Sequence, residues 1–244
     1  MQEDNRKRKR PLNIRILIVY IISFIVLQLV AVFAIGIFPE LLEDDQLFAI
    51  VLSVLNLLWY LGLTIALFSI ARIYLFDNQW GYFKSDKARS LGFIAVGFFA
   101  ILLVNGVIGL TMEQLGYEVN PENQAALESL LEGGPIAIIS LILFAGFLAP
   151  IVEEIVFRKG LWDVFEKPLG FIGAIILNSF FFGFIHIIAD ISLDSMQLLN
   201  IVPYFGMGLV ISLIYYYSGK IIFVPIFVHM AYNMFALIAM FVIS

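Results

Sequence analysis

The stretch "APIVEEIVFRKG", residues 149–160, ends an apolar run that opens at Pro135. It carries adjacent carboxylates, Glu153 and Glu154, and Arg158 follows five residues after the first. The chain around it is 62% hydrophobic and 14% charged, whereas a soluble domain carries about 25% charged residues and about 45–50% apolar ones. Both departures run in the membrane direction, and a mean hydropathy of +1.00 agrees. Two acids inside such a helix need partners, and finding those partners organises the rest of the chain.

A helix needs about 20 apolar residues to cross the hydrocarbon. Candidate spans are 16–38, 47–70, 91–110, 135–157, 171–189, 198–217 and 221–241. The expected fold is therefore all-α, a polytopic membrane bundle of about seven transmembrane helices. The first span follows a basic segment but is too long for a signal-peptide core, so it reads as a retained anchor. All 14 Lys and Arg residues fall in the N-terminal segment and in the second, fourth and sixth loops. The other loops hold acids and no bases, which places the N-terminus in the cytoplasm. Three regions follow: a basic cytoplasmic N-terminus (1–15), accessory transmembrane helices with an outer loop (16–134), and a core (135–244). In the outer loop, "PENQAALESLLEGG" puts Ala126, Leu127, Leu130 and Leu131 on one side of a helix, as either a cover over the core or an ordinary polar loop.

The expected location is the cell membrane, multi-pass, in a bacterial inner or plasma membrane. The absence of Cys excludes disulfides, thiolate metal sites and a cysteine nucleophile. "RKRKR", residues 6–10, is the lone basic cluster, which argues against a nucleic-acid partner. The lipid bilayer itself is the first partner.

A charge at the bilayer centre costs at least about 2.5–3.5 kcal/mol, so ionisable residues in spans are functional candidates. Sorting by this test leaves Glu153, Glu154, His186 in "FFFGFIHII" and His229 in "FVHMAYNMF", the latter two being the chain's only histidines. A single histidine in a membrane helix serves equally well as interhelical hydrogen-bonding glue. Two histidines and a carboxylate pair in three neighbouring spans are harder to explain that way, and they match the needs of a hydrolytic or metal site. Asn56, Asn105 and Asn178 read as packing or hydrogen-bond residues.

Helix geometry separates the glutamates, since adjacent side chains point about 100° apart. Glu154 and Arg158 are spaced i, i+4 and can pair on one face, which leaves Glu153 for another neighbour. Glu153 and His186 are equidistant from a turn between Leu169 and Gly170. They meet if the fourth helix runs on to roughly Glu166, although Gly160 weakens that extension. His229 and Asn233 share a face, as do Phe182 and His186. Pro150 and Pro225, just before Glu153 and His229, can kink their helices beside the polar groups.

The ordered set "EEIVFR" (153–158), "FGFIH" (182–186) and "HMAYN" (229–233) resembles the type II CAAX prenyl endopeptidases and their bacterial relatives, the CPBP intramembrane proteases or Abi family (CAAX protease and bacteriocin-processing). The resemblance covers residues 135 to the C-terminus. It implies peptide-bond hydrolysis within the membrane, on a small membrane-associated or lipid-modified peptide or protein. By resemblance, Glu153 with His186 activates the attacking water, while His229 and Asn233 hold the oxyanion or orient the carbonyl. Glu154, Arg158 and Phe182 support them. A metal alternative uses Glu153, His186 and His229 as ligands to zinc; the metal-free form is preferred, and no cofactor is committed. A non-enzymatic alternative is bacteriocin self-immunity or regulation of a membrane sensor kinase. A transporter is disfavoured because no inverted repeat is visible. Gly206 and Gly208 can pack helices within one chain or in a homo-oligomer.

Overall fold

The computed structural model of the chain describes residues 11–39, 43–117, 122–188 and 197–243. The basic run at 6–10 and the loop at 189–196 lie outside them. All regular elements among the described residues are helical. They are α1 (Leu12–Ile37), α2 (Asp45–Arg72), α3 (Trp80–Ser85), α4 (Lys87–Gln114), α5 (Glu122–Ser129), α6 (Gly134–Leu141), α7 (Ala149–Glu154), α8 (Trp162–His186), α9 (Ile201–Tyr217) and α10 (Phe223–Ile243). Wider π-helical turns join α2 to α3 (Ile73–Gln79), α6 to α7 (Ile142–Leu148) and α7 to α8 (Ile155–Leu161). Side chains that favour helix starts occupy two of them: Asp44 accepts from the Leu47 N–H at 2.9 Å and Asp86 from the Arg89 N–H at 3.1 Å.

Among the described residues, six helical stretches are long and apolar enough to cross a membrane. One of them, Ala125–His186, runs for 62 residues. Drawn straight at 1.5 Å per residue it would be about 93 Å long, three times the hydrocarbon core. It doubles back instead at Gly170, whose φ of 67° and ψ of −169° leave the helical region. Phe157 meets Phe182 at 5.3 Å between ring centroids and Phe165 meets Phe181 at 5.6 Å, the signature of an antiparallel hairpin centred near residue 170. This stretch thus contains two of the seven expected passes.

The fourth pass outruns its expected end at Phe157 and continues to the bend. Charge pairing supports that extension: Lys159 pairs with Asp163, and Lys220 reaches both oxygens of Glu166 at 2.6 Å. Gly160 does not break the helix. A Cβ there would sit 3.0 Å from Leu17, so the glycine lets α1 approach closely. Arg89, which donates to the Tyr217 carbonyl at 3.3 Å, lies at the same end of the bundle as Lys220. Three of the basic segments thus gather at one end, as the positive-inside pattern requires.

Small residues bring the core helices together, as expected where lipid removes the hydrophobic drive between helices. A Cβ on Gly183 of α8 would stand 2.9 Å from Ile201 and 3.1 Å from the Phe205 nitrogen of α9. Gly208 faces Ser179, and Gly206 faces Ile108 of α4, so both pack within the chain. Leu130, just after α5, is buried, and Ala126, Leu127 and Leu130 line the central cavity, so this segment is a cover rather than a free loop. Pro225 sits in the first turn of α10, where its missing N–H is free anyway, so it has no ladder bond to break there. Gly183→Val is expected to wedge α8 from α9 and cost about 1–3 kcal/mol, read as a lower thermal unfolding temperature in detergent.

Candidate active site

The short helix α7 lies between two π-helical stretches. Such turns insert an extra residue and re-aim the side chains that follow, and they occur often at functional sites. Glu154 and Arg158 are wholly buried, with Glu153 6% exposed and His229 2%. Arg158 Nε donates to Glu154 Oε2 at 2.7 Å. Its Nη1 donates to Asn178 Oδ1 and to Ser212 Oγ, the latter at 2.9 Å. Asn178 in turn donates to the Phe157 carbonyl at 2.7 Å. The Phe182 ring lies under the guanidinium at 5.8 Å and against both imidazoles, at 4.8 Å from His186 and 5.7 Å from His229.

The other oxygen of Glu154, Oε1, lies 2.9 Å from His229 Nδ1. The second glutamate therefore links Arg158 to His229 as well as balancing charge. Although the two carboxylates leave α7 in different directions, both address His229, Glu154 at Nδ1 and Glu153 at Nε2.

These contacts fix where the imidazole protons sit. His186 Nδ1 lies 2.7 Å from the Phe182 carbonyl, which can only accept, so Nδ1 carries the proton. Glu154, ionised in its pair with Arg158, imposes the same state on His229 Nδ1. The two Nε2 atoms then face Glu153 Oε2, at 3.8 Å from His186 and 3.9 Å from His229. That oxygen is buried and has no hydrogen-bond partner among the described residues. A carboxylate oxygen and two imidazole Nε2 atoms thus converge on one point of the cavity wall. His186 is held further by Tyr204, stacked on it at 4.5 Å and 19°.

Asn233 lines the same cavity, where its Nδ2 donates to the Ala145 carbonyl at 2.8 Å and keeps a second N–H. The cavity has a volume of about 710 Å³, within the usual range for ligand sites. All the site residues named from the sequence are brought together here. The sequence reading missed Tyr20, Tyr60 and Tyr204, which also line the cavity, and underrated Asn178. Sorting spans by charge passes over a tyrosine, because its phenol is neutral and common in membrane helices. Helices α1 and α2 supply Tyr20 and Tyr60, so part of the wall comes from the region expected to be accessory.

The donor set Glu153, His186 and His229 has the chemistry of a hydrolytic zinc site. Tetrahedral zinc at about 2.0–2.1 Å holds its ligand atoms about 3.3–3.4 Å apart, closer than the 3.8 and 3.9 Å found here. Among the described residues no group of three His, Cys, Asp or Glu is placed to hold a metal ion.

Residues 135–235 match the family model described as type II CAAX prenyl endopeptidase Rce1-like. The family recognised in the motifs is the one this segment matches. The chain is 28% identical over 156 residues to the Bacillus subtilis protein named "Putative membrane peptidase YdiL", covering 64% of this chain and 58% of that one. It is 29% identical over 163 residues to the Staphylococcus aureus "Membrane-embedded CAAX protease MroQ", covering 64% and 60%. A third relative, the Lactococcus lactis "UPF0177 protein YvdC", is 28% identical over 170 residues, covering 68% and 57%. The matches thus span about three-fifths of these relatives' length. No solved structure gives a significant match.

Breaking the buried pair tests the anchoring role of Arg158. Arg158→Met leaves Glu154 buried without its cation and is expected to cost about 3–5 kcal/mol. Glu154→Gln combined with Arg158→Met is expected to recover a large part of that loss, in thermal unfolding of the purified variants.

Proposed function

We propose that the chain is an intramembrane endopeptidase in which Glu153 activates a water against a peptide bond of a membrane-associated or lipid-modified peptide or protein. The observation that carries this reading is the convergence of Glu153 Oε2 with two imidazole Nε2 atoms in a cavity inside the bundle. A water about 2.8 Å from both Oε2 and one Nε2 donates to each, which turns its own lone pair toward the cavity. Glu153 takes a proton as the water oxygen attacks the scissile carbonyl. It then returns that proton to the departing amine as the C–N bond breaks. The imidazole that accepts the water's second O–H holds it in place, and Asn233 uses its second N–H to orient the substrate carbonyl. The Arg158–Glu154 pair keeps His229 in its working tautomer.

The names of two relatives, membrane peptidase and CAAX protease, support the reaction class. The low-dielectric surroundings support it physically, because fixed donors and acceptors act more strongly where bulk water is scarce. Substrate enters a chamber walled by apolar and tyrosine side chains, which suits an extended, largely apolar segment. The Nε2–Oε2 separations of 3.8 and 3.9 Å, wider than the ligand spacing of tetrahedral zinc, support the metal-free form.

The test compares membrane and secreted peptides from cells carrying wild type or Glu153→Ala at matched expression. Peptide termini that vanish in the variant are expected. Unchanged termini, with a host phenotype that follows protein level whatever residue stands at 153, would point to an immunity or sensor-regulating role. With purified protein and a substrate found this way, cleavage is expected to persist in a strong chelator. Loss on chelation and recovery with added zinc would assign Glu153, His186 and His229 to a metal.

A further inference from the structure

Outward of Ser23, helix α1 is apolar except for Gln28, near the middle of the span expected at 16–38. The side chain is exposed, and among the described residues it has no hydrogen-bond partner. An unpaired carboxamide is costly at that depth, because lipid offers its N–H and C=O groups nothing. The usual remedy is a bond to a neighbouring helix. Gln28 instead lines the cavity that holds Glu153. Asn56 of α2 lines it too, half-buried, with one N–H donated to the Leu52 carbonyl at 2.9 Å. Its second N–H and its Oδ1 are unspent among the described residues.

The register of α1 and α2 brings the two carboxamides to one height. Trp59 Nε1 of α2 donates to the Ser23 carbonyl of α1 at 3.1 Å, and consecutive spans run in opposite directions. Gln28 comes five residues after Ser23 and Asn56 three before Trp59, both toward the outer end. At 1.5 Å per residue they differ by about 3 Å in height. Gly133 faces Ala49 and Phe144 stacks on Tyr60, so Asn56 falls level with residues before Phe144, more than two turns outward of Glu153. Leu52, one turn further out on α2, and Ala126, Leu127 and Leu130 of the cover continue the same wall.

We infer that Gln28 and Asn56 form a subsite for the main chain of the substrate, taking N–H and C=O groups of an extended segment beyond the cleaved bond. The inference rests on the peptidase reading and adds to it two residues outside the 135–235 segment. A segment drawn into the chamber as an extended strand loses its helical hydrogen bonds, and apolar walls cannot replace them. Each carboxamide carries the donor and the acceptor of a peptide group, so two at one height replace them without reading side chains. At about 3.3 Å per extended residue, the contact falls about four or more residues from the cleaved bond. The substrate is thereby selected for an apolar segment that unwinds there.

The experiment measures steady-state cleavage by the full-length protein in lipid vesicles, using the peptide whose terminus vanishes in Glu153→Ala cells. A matching series replaces one main-chain amide at a time by an ester, which removes the N–H and keeps every side chain. With wild type, an ester about four or more residues from the cleaved bond is expected to raise KM about tenfold. The kcat stays within about threefold, as when uniform binding is lost. Gln28→Met and Asn56→Leu keep the side-chain bulk, and each is expected to raise KM for the all-amide peptide about tenfold. In at least one of them the same ester then costs nothing further, because its partner is already gone. A KM within about twofold of wild type in both variants overturns the inference. So does an ester penalty of equal size in wild type and both variants, or a lowered unfolding temperature with an unchanged KM, the mark of helix packing. Glu153→Gln, run in parallel, separates the two layers. If it cleaves like wild type, the peptidase reading fails and takes this inference with it. If it is inactive while Gln28→Met and Asn56→Leu are unimpaired, the failure belongs to the subsite alone.

Discussion

A guanidinium with no exposed surface, in a helix built to cross lipid, is the constraint on which this structure depends. Moving an ion of that size out of water costs several kcal/mol even after relaxation, so Arg158 must collect partners from all sides. Glu154 on its own helix, Asn178 on α8 and Ser212 on α9 provide them. Three segments are thereby tied at one depth. Because Glu154 has a second oxygen, the tie extends to His229 on α10. The charge that makes the fold expensive is also what sets the site.

The position of Glu153 follows from that tie. With α7 locked through Glu154, its neighbour is turned about 100° away, toward the imidazoles of α8 and α10. The π-helical stretches on either side of α7 shift the register of the side chains that flank it. Each imidazole has its Nδ1 proton taken by an acceptor. What remains inside is a point surrounded by a carboxylate oxygen and two Nε2 atoms. These groups line the cavity rather than the packed core, where a small polar molecule can reach them.

Much of this was legible in the sequence because charge in a span is rare enough to be informative. Glu154 pairing with Arg158, and Glu153 meeting His186 across a hairpin near residue 170, followed from helical spacing and turn arithmetic. The length of the fourth pass was less legible, since Gly160 reads as a breaker until α1 is seen packed on it. Asn178 is neutral and looked like packing, although it is the residue that fastens Arg158 to α8. Tyr60 gave no local signal at all. Its place in the cavity wall with Glu153 depends on how α2 crosses the core, a long-range arrangement that no spacing within either helix encodes.

The central claim is that both histidines carry their proton on Nδ1 and present Nε2 to Glu153. The chain holds only two histidines, so protein labelled with ¹⁵N in the imidazole rings gives two resolvable sets of signals in lipid. The account expects both rings neutral, with a protonated Nδ1 and a bare Nε2, and expects the His229 Nδ1 proton to shift when Glu154 is replaced by Gln. A bare Nδ1 with a proton on Nε2 in either ring would contradict it, because that ring would then be a donor to Glu153 and the converging lone pairs would not exist.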